Sequence, residues 1–390
     1  MIDHDSVTRV AWDEARRRAG AVASRTGIIE VSLADAIGLV LAQDMVAQQA
    51  IPHFASSAMD GWAVVGGEPW TLGVEDMLRP GSAWPVVTGQ NIPEGVQAVL
   101  RSENGEILDG LLVLNDRATA GDLVVGRHVR PVGTEATAGD VVVTAGCIIT
   151  PAHVALAAGC ALDRLSVFRR PRVSILLTGD EIVSAGVPAA GQVRDSFGPQ
   201  LPTVLSMLGA TVESTRRVSD DLDATVSSLA SAATHAQIVV TTGGTGHSPV
   251  DHVRSALEAL GATMLIGSIA LRPGGPTMLA RLPDGQFVVC LPGNPLAAVM
   301  GLLTVGAPLI DAMGGRPRAR RHQVELAADL PGVSSATQLM PYSLMSGRAT
   351  TTAWMGSAMM RGLASADGVL VVPMGGATAG SRVESLPLPW

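Results

Sequence analysis

A chain of 390 residues exceeds one ordinary hydrophobic core, so two to four domains are expected. All 27 basic residues are arginine, which excludes a Schiff-base lysine, a pyridoxal enzyme and a P-loop lysine. A formal charge of −8 makes nucleic acid a poor partner.

The first residues, Met1-Ile-Asp-His-Asp, show no basic stretch followed by an apolar one. No secretory signal is expected, and the reading is cytoplasmic. Cys147, Cys160 and Cys290 are scattered in apolar surroundings, without zinc or redox spacing, and read as buried thiols. Residues 6–25 carry a helical stripe of Val7, Val10, Ala11, Ala15, Ala19 and Val22, with Ser6 able to cap it and Gly27 ending it. A second short helix is expected over 33–41.

Residues 46–138 change character. They are rich in Gly, Pro and Val, with short apolar runs and closely spaced turns, the pattern of a separate small β domain. Asp60-Gly61, inside Ser56-Ser-Ala-Met-Asp-Gly-Trp62, reads on its own as a hairpin turn. Residues 151–161 read as a helix that could rejoin the N-terminal helices.

From 170 to 315 apolar runs alternate with helical patterns, which implies a doubly wound α/β domain. Three short runs each end in a glycine turn. Arg172-Val-Ser-Ile-Leu-Leu leads to Thr178-Gly-Asp-Glu181, Gln237-Ile-Val-Val-Thr-Thr to Gly243-Gly-Thr-Gly246, and Phe287-Val-Val-Cys-Leu to Pro292-Gly-Asn-Pro295. Such runs are strands of a parallel sheet, whose ligands bind beyond the carboxyl ends. Helices are expected at 202–208, 222–234, 253–260 and 296–313. The last holds the most apolar stretch, interrupted by Gly301, Gly306 and Pro308, and reads as a buried helix with no membrane insertion.

Glycine turns let backbone N–H groups approach an anion. Acidic neighbours, Glu181, Asp220 and Asp251, would repel that anion unless a hard cation lay between, and Mg²⁺ takes one or two carboxylates plus phosphate oxygens. The pattern points to metal-assisted chemistry on a phosphorylated or nucleotidyl ligand. Helix capping is the competing explanation for Asp220 and Asp251. His247 and His252 read as surface or capping residues. Residues 314–321, Pro/Gly/Arg-rich, read as a solvated linker. Residues 322–390 read as a small all-β domain with its best strands at 369–373 and 382–386.

Five motifs occur in one order: Ser57-Ala-Met-Asp-Gly-Trp-Ala-Val64, Val87-Thr-Gly89 with Ile92-Pro-Glu-Gly95, Thr178-Gly-Asp-Glu181, Gly243-Gly244 with Asp251, and Leu291-Pro-Gly-Asn-Pro295. That order resembles the molybdopterin molybdenumtransferases, the MoeA and gephyrin E-domain family. Residues 358–368 resemble that family's C-terminal β domain. The resemblance implies a multidomain α/β plus all-β subunit in four parts: a discontinuous helical domain (1–45 and 139–169), an inserted β domain (46–138), a molybdopterin-binding α/β domain (170–315) and a C-terminal β-barrel-like domain (316–390). It further implies a homodimer, with the cleft between the α/β domain of one subunit and the β domain of the other. The implied reaction takes adenylylated molybdopterin and molybdate, releases AMP, depends on Mg²⁺ and yields molybdenum cofactor.

The resemblance assigns Glu181 and Asp251 to the metal, with Asp60, Glu181, Asp251 and Arg272 as the catalytic set. It assigns substrate binding to Ser57, Thr88, Glu135, Thr178, Gly179, Asp220, Gly243, Gly244, Thr245, Pro292, Gly293 and Asn294. Four positions depart from the family pattern. Arg272-Pro-Gly-Gly275-Pro276 stands for Lys-Pro-Gly-Lys-Pro; Gly246 ends a loop that is Gly-Gly-Val-Ser in the family; Phe197 stands where an asparagine is expected; Gly133-Thr-Glu135 replaces Gly-Glu-Asp. The Gly-Gly-Thr-Gly loop resembles the related molybdopterin adenylyltransferase domain, so AMP transfer to molybdopterin is an alternative. A catalytically impaired dimeric scaffold for a protein partner is another.

Overall fold

The computed structural model describes residues 9–73, 79–245, 252–317 and 321–390. Contacts divide the chain into two compact units: Met1–Ile29, Gly38–Val40 and Phe168–Trp390 form one, Glu30–Ile37 and Leu41–Val167 the other. The division differs from the four expected segments. Helix Trp12–Ala21 belongs to the first unit and helix Pro151–Gly159 to the second.

The larger unit is built on a six-stranded sheet. Its order is Thr211–Val218, Arg172–Thr178, Ile238–Thr242, Phe287–Leu291, Met278–Arg281, Thr263–Ile266. The first four strands are parallel and Met278–Arg281 runs antiparallel to both its neighbours. All five residues of Ile238–Thr242 are buried, as a strand covered on both faces requires. Helices Trp12–Ala21 and Phe197–Met207 and the long apolar helix cover one face. Leu222–Ala233 and His252–Ala259 cover the other. Each Val, Leu or Ile buried in these layers contributes roughly 1.5–3 kcal/mol.

The long apolar helix spans Pro295–Met313, with a π turn at Leu302–Gly306 between two α segments. It is long and apolar enough to cross a membrane by composition, yet 83% of its most apolar window is buried inside this unit. The Trp12 indole N–H donates to Thr304 Oγ1 on it at 3.1 Å, fastening the N-terminal helix to the core.

That N-terminal helix is shorter than its periodicity predicts. Val10–Ala11 form a short strand parallel to Ile269–Arg272, and the helix starts at Trp12, with Trp12, Ala15 and Ala19 buried. Ser6 and Val7 lie outside the described residues. The Val10–Ala11 and Ile269–Arg272 strands extend one edge of a seven-stranded sheet whose other strands come from residues 322–386. The expected boundary at 315 is therefore crossed by the sheet. The Arg-rich segment after it is not wholly solvated either. The Arg316 Nη1 donates to the Gly38 carbonyl at 3.4 Å and its Nε lies 3.7 Å from Asp311.

The smaller unit carries a second six-stranded sheet, in the order Gly105–Leu108, Leu111–Leu114, Trp70–Leu72, Ser82–Val86, Gly61–Val65, Ala98–Arg101. One face packs around Trp70 and Leu112, the other around Trp84, Val99 and Ile92. Helix Pro151–Gly159 is capped by Thr150, whose hydroxyl accepts the His153 N–H. Where a helix is expected over 33–41 the chain makes turns and a short strand, Val40–Leu41. Gly38, at φ +79°, interrupts any helical run there.

Candidate functional site

Strand register places three glycine turns together. Leu177 pairs with Thr242, and Thr242 pairs with Leu291. Thr178, Gly243 and Pro292 are the next residues of the three adjacent strands, so their loops share one sheet edge. The Thr178 hydroxyl donates to the Thr242 carbonyl at 2.6 Å, and the Gly243 N–H donates to the Leu291 carbonyl at 2.9 Å. Gly243 and Gly244 take φ values of +81° and +62°. A Cβ on Gly243 would lie 2.7 Å from Thr178 Oγ1, and one on Gly293 3.6 Å from Gly243 Cα. The three loops thus touch through glycine, and a side chain at Gly243 would part them. Thr245 is buried behind this edge. Asn294 precedes the long helix without a side-chain cap bond.

The acidic residues gather at the same edge. Asp180 and Asp220 exchange bonds: the Asp180 N–H donates to Asp220 Oδ2 at 3.2 Å and the Asp220 N–H to Asp180 Oδ1 at 3.4 Å. Asp220 is not the helix cap; Asp221 is, accepting the Ala224 N–H at 2.8 Å. Glu181 folds back over Gly179, where a Cβ would come within 3.0 and 3.1 Å of its carboxylate oxygens. Asp251 and Gly246 lie outside the described residues.

Two charged residues at this edge escape the motif reading. Asp195 accepts the N–H groups of Phe197 and Gly198 at 2.9 Å each, at the start of helix Phe197–Met207, and pairs with Arg217. A Cβ on Gly198 would collide with that carboxylate. The signal available was an aspartate two residues before a helix start. Phe197, in the position where the resemblance leads one to expect an asparagine, is buried in the main core and packs there.

Arg272 ends the strand Ile269–Arg272, pairs with Gln338 in the seven-stranded sheet, and is exposed. Among the described residues no hydrogen bond or ion pair joins it to the glycine loops. Gly275, where a second cation is expected, is closely fitted: a Cβ there would lie 3.0 Å from the Leu271 carbonyl and 3.2 Å from that of Ile269.

In the smaller unit, Ser57, Asp60 and Thr88 form one turn cluster. The Thr88 N–H donates to Asp60 Oδ1 at 2.6 Å. That bond, with the Thr88 hydroxyl, holds the Asp60 carboxyl below its ordinary range. Asp60-Gly61 is not a hairpin turn; it leads into Gly61–Val65, the strand held between Ser82–Val86 and Ala98–Arg101. Ser57 is fully buried, and its hydroxyl donates to the Met59 carbonyl at 2.5 Å, so it builds the turn that presents Asp60. Glu135 is tied by its backbone N–H to the Ile51 carbonyl at 2.8 Å, apart from this cluster.

Among the described residues no three His, Cys, Asp or Glu side chains converge as a ready metal cage. The donor set instead suits Mg²⁺ in its usual manner, one or two carboxylates completed by phosphate oxygens. Asp180 and Asp220 each spend one oxygen on a backbone N–H and keep lone pairs free.

An open, mostly parallel sheet with glycine loops and carboxylates at the carboxyl edge of its parallel strands defines a ligand-binding α/β protein. Residues 10–161 match the family described as "MoeA N-terminal region (domain I and II)", and residues 174–312 match "Probable molybdopterin binding domain". Molybdopterin molybdenumtransferase 2 of Mycobacterium tuberculosis is 32% identical over 377 positions, covering 88% of this chain and 91% of the relative. Molybdopterin molybdenumtransferase of Staphylococcus aureus is 29% identical, covering 74% and 72%. The fold matches a molybdopterin biosynthesis MoeA protein from Pyrococcus horikoshii, with a TM-score of 0.79, 21% identity and coverage of 97% and 99%. The chain belongs to the molybdopterin molybdenumtransferase family.

Proposed function

We propose that this protein inserts molybdate into adenylylated molybdopterin, releasing AMP and forming molybdenum cofactor. The observation that carries the reading is the shared edge of Thr178, Gly243 and Pro292, with Asp180, Glu181 and Asp220 beside it. Glycine N–H groups there would receive phosphate oxygens without a side chain in the way. Glu181 and Asp251 would hold Mg²⁺ between themselves and the ligand phosphate, where the ion supplies charge neutralisation. The Asp180–Asp220 exchange would fix the acidic loop.

Molybdate is a dianion brought to an electron-rich dithiolate, so fixed positive charge must offset it. Arg272 is the assigned cation, and its always-charged guanidinium would bind without giving up a proton. Asp60 and Thr88, with Glu135, would reach the site from a second subunit of a homodimer, the arrangement the family resemblance implies. Ser57 would serve through the turn.

The test is AMP release from adenylylated molybdopterin with Mg²⁺, with and without molybdate. Molybdate-dependent release is the expected result. Retained nucleotide with no release would leave a binding scaffold, and ATP-dependent adenylylation of molybdopterin would favour the adenylyltransferase reading.

A further inference from the structure

The loop that carries Glu181 has little apolar packing of its own. It leaves the sheet at Thr178 and forms a ribbon of two short parallel strands, Ile182–Val183 and Val193–Arg194. The second strand is exposed and the first only half-buried. Two strands without a buried apolar face are marginal in water, so the place of the ribbon must be set at its ends. One end is Thr178, continuous with strand Arg172–Thr178. The other is Asp195.

Hydrogen bonds lead step by step from Asp195 to Glu181. The Asp195 N–H donates to the Val183 carbonyl at 3.0 Å, and the Val193 N–H donates to the Glu181 carbonyl at 2.9 Å. The Asp195 side chain, 10% exposed, is itself fixed by three groups: the N–H groups of Phe197 and Gly198, at 2.9 Å each, and the Arg217 guanidinium. Arg217 pairs in the ladder with Leu177, the residue before Thr178. A Cβ on Gly198 would lie 3.5 Å from Leu177 Cδ1, so the helix start rests on the same strand. The far end of the loop is thus tied back beside its own beginning. Among the described residues no hydrogen bond or ion pair holds the Glu181 carboxylate, so its place follows that of its backbone.

We infer that Asp195 is a positioning residue for Glu181, acting through the Val183 and Val193 bonds with Arg217 as its anchor. The inference rests on the role proposed for Glu181 above. Without the Asp195 carboxylate the ribbon is fastened at one end only. Glu181 then spends part of its time away from the place where it would meet Mg²⁺, and the apparent affinity falls by the fraction of time it is in place.

Mg²⁺ titration of AMP release, with hydrogen exchange on the metal-free protein, tests it. Asp195→Ala should raise the Mg²⁺ concentration for half-maximal release about tenfold, the size of effect seen when a group supporting a metal ligand is lost. The rate at saturating Mg²⁺ should stay near the parent value, because bound metal draws the loop back. In the Glu181→Gln background the same change should leave the Mg²⁺ requirement where it was. Exchange of the Val193 amide, which the Glu181 carbonyl protects, should quicken in Asp195→Ala. If Asp195 only caps the helix, exchange quickens at Phe197 and Gly198 alone and the Mg²⁺ requirement is unmoved; that result would overturn the inference and leave the role of Glu181 standing. A Glu181→Gln protein with the parent's Mg²⁺ requirement would overturn that role, and the inference with it. Should Asp195→Ala not fold, Arg217→Gln supplies the same titration, and Arg217→Lys, which keeps a charge for Asp195, should stay closer to the parent.

Discussion

Asp311 shows what periodicity conceals at single positions. The sequence presents it as one acid near the end of an apolar helix. In the structure, burial pushes its carboxyl up to about 6, with Arg316 and Arg16 only partly opposing the shift. A raised carboxylate binds its proton more tightly in the folded state. Its ionisation therefore weakens the fold as pH rises from its ordinary 3.8 through about 6. Asp311→Asn should be more stable than the parent at pH 8 by up to about 3 kcal/mol, with the difference closing near pH 4, as urea melts at the two pH values would show. Cys290 was legible from its apolar neighbours alone: burial pushes its thiol up to about 12. It should resist alkylation at pH 8 in the native protein and react only after denaturation, as mass spectrometry of labelled peptides would report.

At the scale of elements, strand runs and glycine turns were legible because both follow from local chemistry. The apolar β-branched runs ending at Thr178, Thr242 and Leu291 became adjacent parallel strands, and Gly261 ends its helix at φ +67°. Elements that depend on distant partners were not legible. Val10–Ala11 carry a helical pattern but pair with Ile269–Ala270, whose hydrogen bonds no local signal announces. The Asp195–Arg217 pair, 22 residues apart in sequence, was hidden for the same reason. Asp220 and Asp221 could not be told apart by sequence, since either could cap the following helix. The structure gives the cap to Asp221, so Asp221→Ala should lower stability by about 1 kcal/mol in chemical denaturation. Gly243→Ala should lower stability by about 1 kcal/mol or more, since alanine is strained at φ +81°, and should abolish nucleotide binding, measured by calorimetry below the melting transition, because the added methyl meets Thr178 Oγ1 in the ligand loop. Unimpaired binding by Gly243→Ala would remove this loop from the proposed cradle.

For the whole molecule, the motif order carried more than any local pattern, because the residues that the resemblance assigns to one site are divided between the two compact units of the chain. Ser57, Asp60 and Thr88 belong to one unit, and Thr178, Glu181 and Gly243 to the other. No periodicity links them; only the resemblance assigns them one task. The proposed homodimer turns that assignment into arithmetic. If each site takes Asp60 from one subunit and Glu181 from its partner, Asp60→Ala and Glu181→Ala homodimers are both inactive. A mixed dimer concentrates both lesions in one site and leaves the other intact. Random pairing of equal amounts makes half the dimers mixed, each with one working site, so activity should return to about one quarter of the parent value. A site formed within one subunit would leave every combination inactive, because each chain would carry its own lesion. Co-expression with two purification tags, followed by AMP-release measurement on the doubly selected dimer, where every dimer is mixed and activity should reach about one half of the parent value, separates these outcomes.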